Sequence, residues 1–259
     1  MIECLIISAM CLFQDQAQEP ATFRGGVWMP RLGGILKDGT DSVDLESNIQ
    51  LHTKESSPLI EFEIDPFDGA LIECSIFDFS TTGNGTYVGN DTYGVITFQQ
   101  GDEWRGSTDI QSIGFTAALD YIAPYHASDQ ATLDFAPVIG LRWFGIETEL
   151  INSTQGTSEQ HQNGWVALQG GIEMQFTWNT KDVTQMVDSI SITSELLVGS
   201  LMGDDGGSMW SIHAGVEIEF SDSFGGYFGY RLQELEAEDG DYTFDAGLQG
   251  LYVGGQIRF

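Results

Sequence analysis

Leu251-Tyr252-Val253-Gly254-Gly255-Gln256-Ile257-Arg258-Phe259 is the stretch that decides the fold. Leu251, Val253, Gly255, Ile257 and Phe259 share one face, and Gly250, Tyr252, Gly254, Gln256 and Arg258 share the other. Alternation with period two is a strand lying between an apolar and a polar medium. Left at the edge of an open sheet, such a strand would template pairing with other chains. Pairing it with the first strand, so that the sheet closes on itself, removes that hazard.

The same pattern recurs upstream. Trp210, Ile212, Ala214, Val216, Ile218 and Phe220 oppose Ser211, His213, Gly215, Glu217 and Glu219. Ile190, Ile192, Leu196 and Val198 oppose Ser191, Thr193 and Glu195, and Val166 to Phe176 carries Gln169, Glu173 and Gln175 on its reverse. In the strand Leu133 to Ile146, Ile139, Leu141 and Trp143 face out while Gly140 and Arg142 face in. Ile113, Phe115, Ala117, Leu119 and Tyr121 back onto Ser112, Gly114, Thr116, Ala118 and Asp120. Ile60, Phe62 and Ile64 alternate with Glu61, Glu63 and Asp65 before a turn at residues 65–69. Phe23 to Leu36 is a Gly-rich strand candidate with a bend at Pro30. Ser42 to Ser47 has acids placed to start a short helix. Residues 80–107 read as a long loop with a projecting hairpin at Tyr93 to Phe98.

A final alternating strand ending in Phe259 resembles the bacterial outer-membrane β-barrel proteins. The resemblance implies a closed antiparallel transmembrane barrel in the outer membrane, monomeric and in contact with outer-membrane lipid and lipopolysaccharide. It also implies that Phe259, Ile257 and Tyr252 carry barrel closure and the signal read by the barrel assembly machinery. Counting spans gives about ten strands, with eight to twelve as the range, since sequence-based boundaries err by several residues.

Composition agrees. Gly is abundant (32) and Pro scarce (6). No apolar run reaches the ~18 residues of a helical span, and a mean hydropathy of −0.09 suits strands that show only alternate residues to lipid. An apolar run from Cys4 to Phe13 followed by Gln14-Asp15-Gln16-Ala17 predicts a signal peptide over residues 1–17, with Glu3 where a basic residue is expected. Residues 18–259 then form one barrel domain. Cys11 follows the bulky Met10, which disfavours a lipoprotein reading, and a cytosolic first strand is the remaining alternative. With Cys4 and Cys11 removed, Cys74 has no disulfide partner and reads as a small packing residue.

The net charge of −30 argues against nucleic acid, whose phosphates need cationic side chains, and against a basic lipid-docking patch. Acids gather in predicted loops at Asp38 and Asp41, Asp204 and Asp205, and Glu236 to Asp241. They favour solubility, and divalent cations bridging them to anionic headgroups is the sharper expectation; none has EF-hand spacing. No cofactor is expected otherwise, and no metal-ligand spacing is seen.

Aromatics fall near strand ends: Tyr121, Tyr125, Trp178, Phe220, Phe224, Tyr227 and Phe259 at one rim, and Trp165, Trp210, Tyr242 and Phe244 at the other. Bilayer headgroup regions select such bands. Short connections at 65–69, 123–130 and 221–225 alternate with longer polar ones at 37–58, 80–107, 152–164, 203–208 and 236–241, with 179–188 intermediate. That matches short periplasmic turns and long extracellular loops.

A barrel of about eight strands fills with side chains, whereas about sixteen leave a channel. Arg142, Arg231 and Arg258 face inward with Asp120, Glu173, Glu195, Glu217 and Glu219, which predicts an ion-pair network plugging the lumen. A narrow acidic pore favouring cations is the alternative. Catalysis is not expected. His126-Ala127-Ser128 resembles the His-x-Ser pair of outer-membrane lipid A deacylases, but Asp129 stands where that family has Asn and the triplet falls in a predicted turn. Ser211 and His213 share a face at about 7 Å spacing. The rivals are therefore a lipid-modifying enzyme, an acyl hydrolase or transferase built on His213 or His126, and a secreted β-sandwich binding ligand through acidic loops.

Overall fold

The structure, a computed structural model, describes residues 21–48, 55–67, 70–119, 122–128, 130–181, 186–202 and 206–259; the expected leader lies outside them. The strands are β1 (Ala21–Asp38), β2 (Asp41–Asp44), β3 (Ser57–Phe67), β4 (Ala70–Thr86), β5 (Asp91–Tyr93), β6 (Ile96–Phe98) and β7 (Glu103–Leu119). They continue as β8 (Ile122–Ser128), β9 (Ala131–Asn152), β10 (Thr157–Asn179), β11 (Ser189–Met202), β12 (Gly207–Ser221), β13 (Phe224–Asp239) and β14 (Tyr242–Arg258). Ten of them close an antiparallel ring in the order β1-β3-β4-β7-β9-β10-β11-β12-β13-β14 and back to β1. The seam between β14 and β1 runs without a slip from Thr22 opposite Arg258 to Asp38 opposite Tyr242. The Phe259 N–H donates to the Ala21 carbonyl at 2.9 Å, so the terminal stretch completes the wall as its alternation predicts.

Several local expectations change. The predicted helix at Ser42 to Ser47 is β2 followed by a turn, because the Asp44 carboxylate accepts the Glu46 and Ser47 N–H groups at 2.8 and 2.7 Å. An Asp side chain that satisfies nearby amides in this way competes with the helix. The inner connection at 123–130 contains β8, which pairs with β9 below the point where β7 leaves it. His126 and Ser128 therefore stand on a strand rather than in a turn. At the outer end, residues 38–57 and 86–103 are long connections. The polar stretches 152–164 and 236–241 are instead continuous strand with tight turns after Asn152 and Asp239.

Those extensions have one physical cause. On β9, Leu141 and Trp143 are 47% and 37% exposed on the outside, whereas Phe144, Ile146 and Leu150 point inward and are at most 3% exposed. The strand keeps its period of two but exchanges its apolar and polar faces between Trp143 and Phe144. On β14 the exchange falls between buried Leu248 and exposed Leu251, and on β13 between exposed Tyr230 and buried Leu235. β9 has 22 residues, about 70 Å of strand at ~3.3 Å per residue, well beyond an apolar band of about 25 Å even when tilted. The inner part of the barrel is thus apolar outside and polar inside. Its outer part is packed like a water-soluble barrel, apolar inside.

The outer core joins opposite walls. Trp28 meets Phe77 edge to face at 5.2 Å, and Leu32, Leu36, Phe79, Phe144, Leu235, Phe244 and Leu248 are buried in the same cluster. A void of about 20 Å³ beside Phe77, Ile110, Phe144 and Phe244 has room for about one water. The hairpin β5–β6 is folded inward rather than projecting: Tyr87, Tyr93, Ile96 and Phe98 are buried, with Tyr87 stacked on Phe98 at 4.4 Å.

Aromatic placement is correspondingly corrected. Trp178, Phe220, Phe224 and Phe259 are exposed near the inner end, and Trp143 and Trp210 are exposed below the point where polarity exchanges. Tyr227, Trp165, Tyr242 and Phe244 are buried instead. They sit at strand positions whose parity faces the lumen. Tyr121 lies outside the described residues, and nothing is placed for the side chain of Tyr125.

Candidate functional site

Inward parity brings polar side chains together at mid-barrel. Glu173 lies opposite Glu195, Glu195 opposite His213, and His213 opposite Arg231 across successive strands β10 to β13. From the facing wall come Arg24 on β1, Glu61 and Glu63 on β3, and Glu73 on β4. Arg24 donates to Glu63 at 2.7 Å and pairs with Glu217 at 3.2 Å, tying β1 to β3 and to β12; its Nε donates to Gln256 at 3.1 Å. Arg231 donates to Glu61 at 2.6 Å with both side chains buried, tying β13 to β3. Rigid guanidinium forks fix geometry between carboxylates better than a Lys would.

The predicted lumen residues divide as follows. Arg231, Glu217, Glu195 and Glu173 line this zone. Arg142 is buried there too, but it donates to Ser112 (3.2 Å) and Ser75 (2.9 Å) rather than to a carboxylate, its guanidinium lying over Gly114, where any Cβ would collide with it. Arg258 pairs with Glu219 at 2.6 Å at the half-exposed inner end, where an ion pair contributes little. Asp120 lies outside the described residues. Arg24, Glu61, Glu63 and Glu73 are not among the predicted lumen residues, although the alternation at Ile60 to Asp65 sets Glu61 and Glu63 against an apolar face.

Among the described residues His213 hydrogen-bonds no serine. Its Nε2 is 2.5 Å from the Tyr252 hydroxyl, and Glu217 is engaged by Arg24. Tyr252 reaches across because Gly215 and Gly229 leave a groove that a side chain there would fill. The Ser128 hydroxyl accepts the Gln130 N–H at 3.2 Å. Below the charged zone a cavity of about 370 Å³ lies between residues such as Asp65, Asp134, Glu173 and Gln175, on the side of the inner turns.

The outer mouth is the second locus. Asp102, buried at the base of the hairpin, accepts the Gln99 N–H (3.0 Å), the Asn152 amide (2.7 Å) and the Gln155 amide (3.0 Å). The Gln99 amide foremost, then Asn152, hold this carboxyl below its ordinary pKa of 3.8. A group whose pKa is depressed by folding contributes stability above its unfolded pKa and loses it as pH falls through the folded one. Protease nicking of residues 87–101 is therefore expected to rise as pH drops below about 4; Asp102→Ala should be nicked equally at pH 5 and pH 3. A nicking rate that does not change with pH in the unaltered chain would refute this anchoring role.

Above the hairpin, Asp38 at the end of β1 and Glu159 and His161 on β10 offer ligand atoms that all lie within 4.8 Å of one another. The His161 ring stacks on Tyr242 at 4.2 Å and meets Tyr93 edge-on at 6.0 Å. Glu159 accepts the Val95 N–H at 3.0 Å. Gly94, at φ +53, turns the hairpin so closely under Asp38 and Glu159 that a Cβ would collide with both carboxylates. Burial first, then the charges of Tyr242, Asp38 and Glu159, push the Tyr93 hydroxyl well above the usual phenol range.

No family model matches the chain, and no curated protein matches it. Among solved structures it is similar to the outer membrane protease OmpT of Escherichia coli, at 8% identity over 95% of this chain and 99% of that one, with a TM-score of 0.52. The fold is that of a bacterial outer-membrane β-barrel. The translocator domain of the autotransporter NalP from Neisseria meningitidis (11% identity, 100% and 95% coverage, TM-score 0.48) and Ail of Yersinia pestis (10%, 93% and 99%, 0.40) are further matches. The exposed apolar belt of this barrel is its membrane-facing surface, in the outer membrane.

Proposed function

We propose that this barrel is a sealed, non-enzymatic outer-membrane protein that raises a rigid acidic column above the bilayer and conducts no ions. One observation carries the reading: apolar side chains from facing walls, Trp28, Phe77, Phe144, Leu235 and Phe244 among them, fill the outer half of the lumen. An ion leaving the charged zone outward would enter an apolar medium, at a cost of several kcal/mol or more. The network Arg24–Glu63–Glu217 and Arg231–Glu61 cross-braces the lumen below it. The closed ring has no free edge to recruit a second copy, which favours a monomer. Asp78, Glu236, Asp239 and Asp241 are exposed beyond the belt, and divalent cations bridging such acids to lipopolysaccharide phosphates would seat the column among the lipids.

The test is planar-bilayer recording of the refolded chain. The expected result is insertion, confirmed by heat-modifiable gel mobility, with no stepwise conductance. Cation-selective steps in the unaltered protein would establish the narrow-pore reading in its place.

A further inference from the structure

We propose that Asp38, Glu159 and His161 bind a divalent transition-metal ion of the zinc class across the outer mouth of the barrel. The inference goes beyond the sealing of the lumen and does not depend on it. β1 and β10 stand on opposite sides of the ring, five strands apart in either direction, yet their donor atoms converge within 4.8 Å. Glu159 and His161 are two apart on one strand, which places both on the same face.

The donor set selects the ion. An imidazole nitrogen beside two carboxylates suits zinc and its neighbours in the first transition row, whereas calcium and magnesium take oxygen ligands throughout. Three protein ligands leave a fourth position for water, the coordination of open zinc sites. Donors at ~2.1 Å from a tetrahedral ion lie about 3.4 Å apart, so binding draws the triad together by roughly an ångström.

Two further observations point to a ligand. Among the described residues, the Tyr93 hydroxyl, on a side chain only 1% exposed, and His161 Nε2, closed off from solvent, both lack a hydrogen-bond partner. Buried polar atoms are nearly always partnered by protein, water or an ion. Among the described residues neither Asp38 nor Glu159 is paired with a Lys or Arg; Glu159 has only His161, at 3.7 Å. Two carboxylates crowded against Gly94 repel each other unless a cation lies between them. Once bound, the ion clasps the hairpin, because Glu159 also holds the Val95 amide.

The full chain, folded in detergent, is stripped with a chelator, freed of it, and titrated with Zn²⁺ in excess Mg²⁺ and Ca²⁺ that occupies weak acidic surface sites. One saturable zinc per chain is expected. His161→Ala, Glu159→Gln and Asp38→Asn should each weaken binding by at least the about 10–100-fold seen on loss of an outer-shell partner. Glu236→Gln with Asp239→Asn should not. Gel mobility confirms that each variant is folded; if His161→Ala fails that check, His161→Gln replaces it. The cobalt-loaded unaltered chain should show an N/O-donor spectrum. Zinc displaced by Ca²⁺, binding unchanged in the triad variants, or a thiolate-to-cobalt band that assigns the ion to cysteine would each overturn the site.

Discussion

Replacing Arg231 with Met lowers the unfolding free energy by about 3–5 kcal/mol, because it leaves a buried carboxylate without its partner. Glu61 is held by that partner: its side chain is 5% exposed and its hydrogen bond goes to Arg231. The pair itself is not the source of the stability. Desolvating two charges costs nearly what their attraction returns, so the double variant Glu61→Leu/Arg231→Met should recover most of the loss. Urea unfolding in lipid vesicles, read as the shift in midpoint at constant slope, measures all three. A single variant as stable as the parent would mean that water reaches this part of the lumen freely.

The second large effect separates the two surfaces of one strand. Leu141→Arg puts a charge on the lipid face just below the exchange of faces and should cost about 1–2 kcal/mol, between the ~2–4 kcal/mol of the bilayer centre and the ~0–1 kcal/mol of the interface. Phe144→Ala, three residues further along β9, removes a ring from the outer core and should cost about 3–5 kcal/mol. The two penalties differ in what modulates them. That of Leu141→Arg should shrink in shorter-chain lipids, whose interface comes closer to the substituted position, and that of Phe144→Ala should not. If both respond to lipid alike, the exchange of faces between Trp143 and Phe144 is wrong.

The closed wall was legible because each strand alternates for long enough within the belt to reveal its period. Beyond the belt the same residues defeat a simple reading. Trp165, Tyr242 and Phe244 look like a headgroup girdle to anyone who assumes one apolar face from end to end, yet they are buried in the outer core. Glu159-Gln160-His161 falls in a stretch that reads as a polar loop, since its outward neighbours there are hydrophilic. Arg24 is hidden among glycines, and its partners Glu63 and Glu217 come from distant strands, so only closure of the ring brings them together. The mouth triad needs the same closure to deliver Asp38 to the far wall. Composition gave no hint of the hairpin's inward fold, which rests on Asp102 finding Asn152 and Gln155.

The exchange of faces also gives the molecule a waterline. Were it to sink by one pair of residues, Glu147 and Glu149 on the outer flank of β9 would be drawn toward hydrocarbon; were it to rise, Leu141 and Trp143 would be lifted into water. Both displacements are resisted, so the strands themselves fix the draught of the barrel. The freeboard follows: the stretch of β9 from Phe144 to Asn152, at ~3.3 Å per residue and a tilt of roughly 40°, carries the rim and its hairpin about 20 Å clear of the oil.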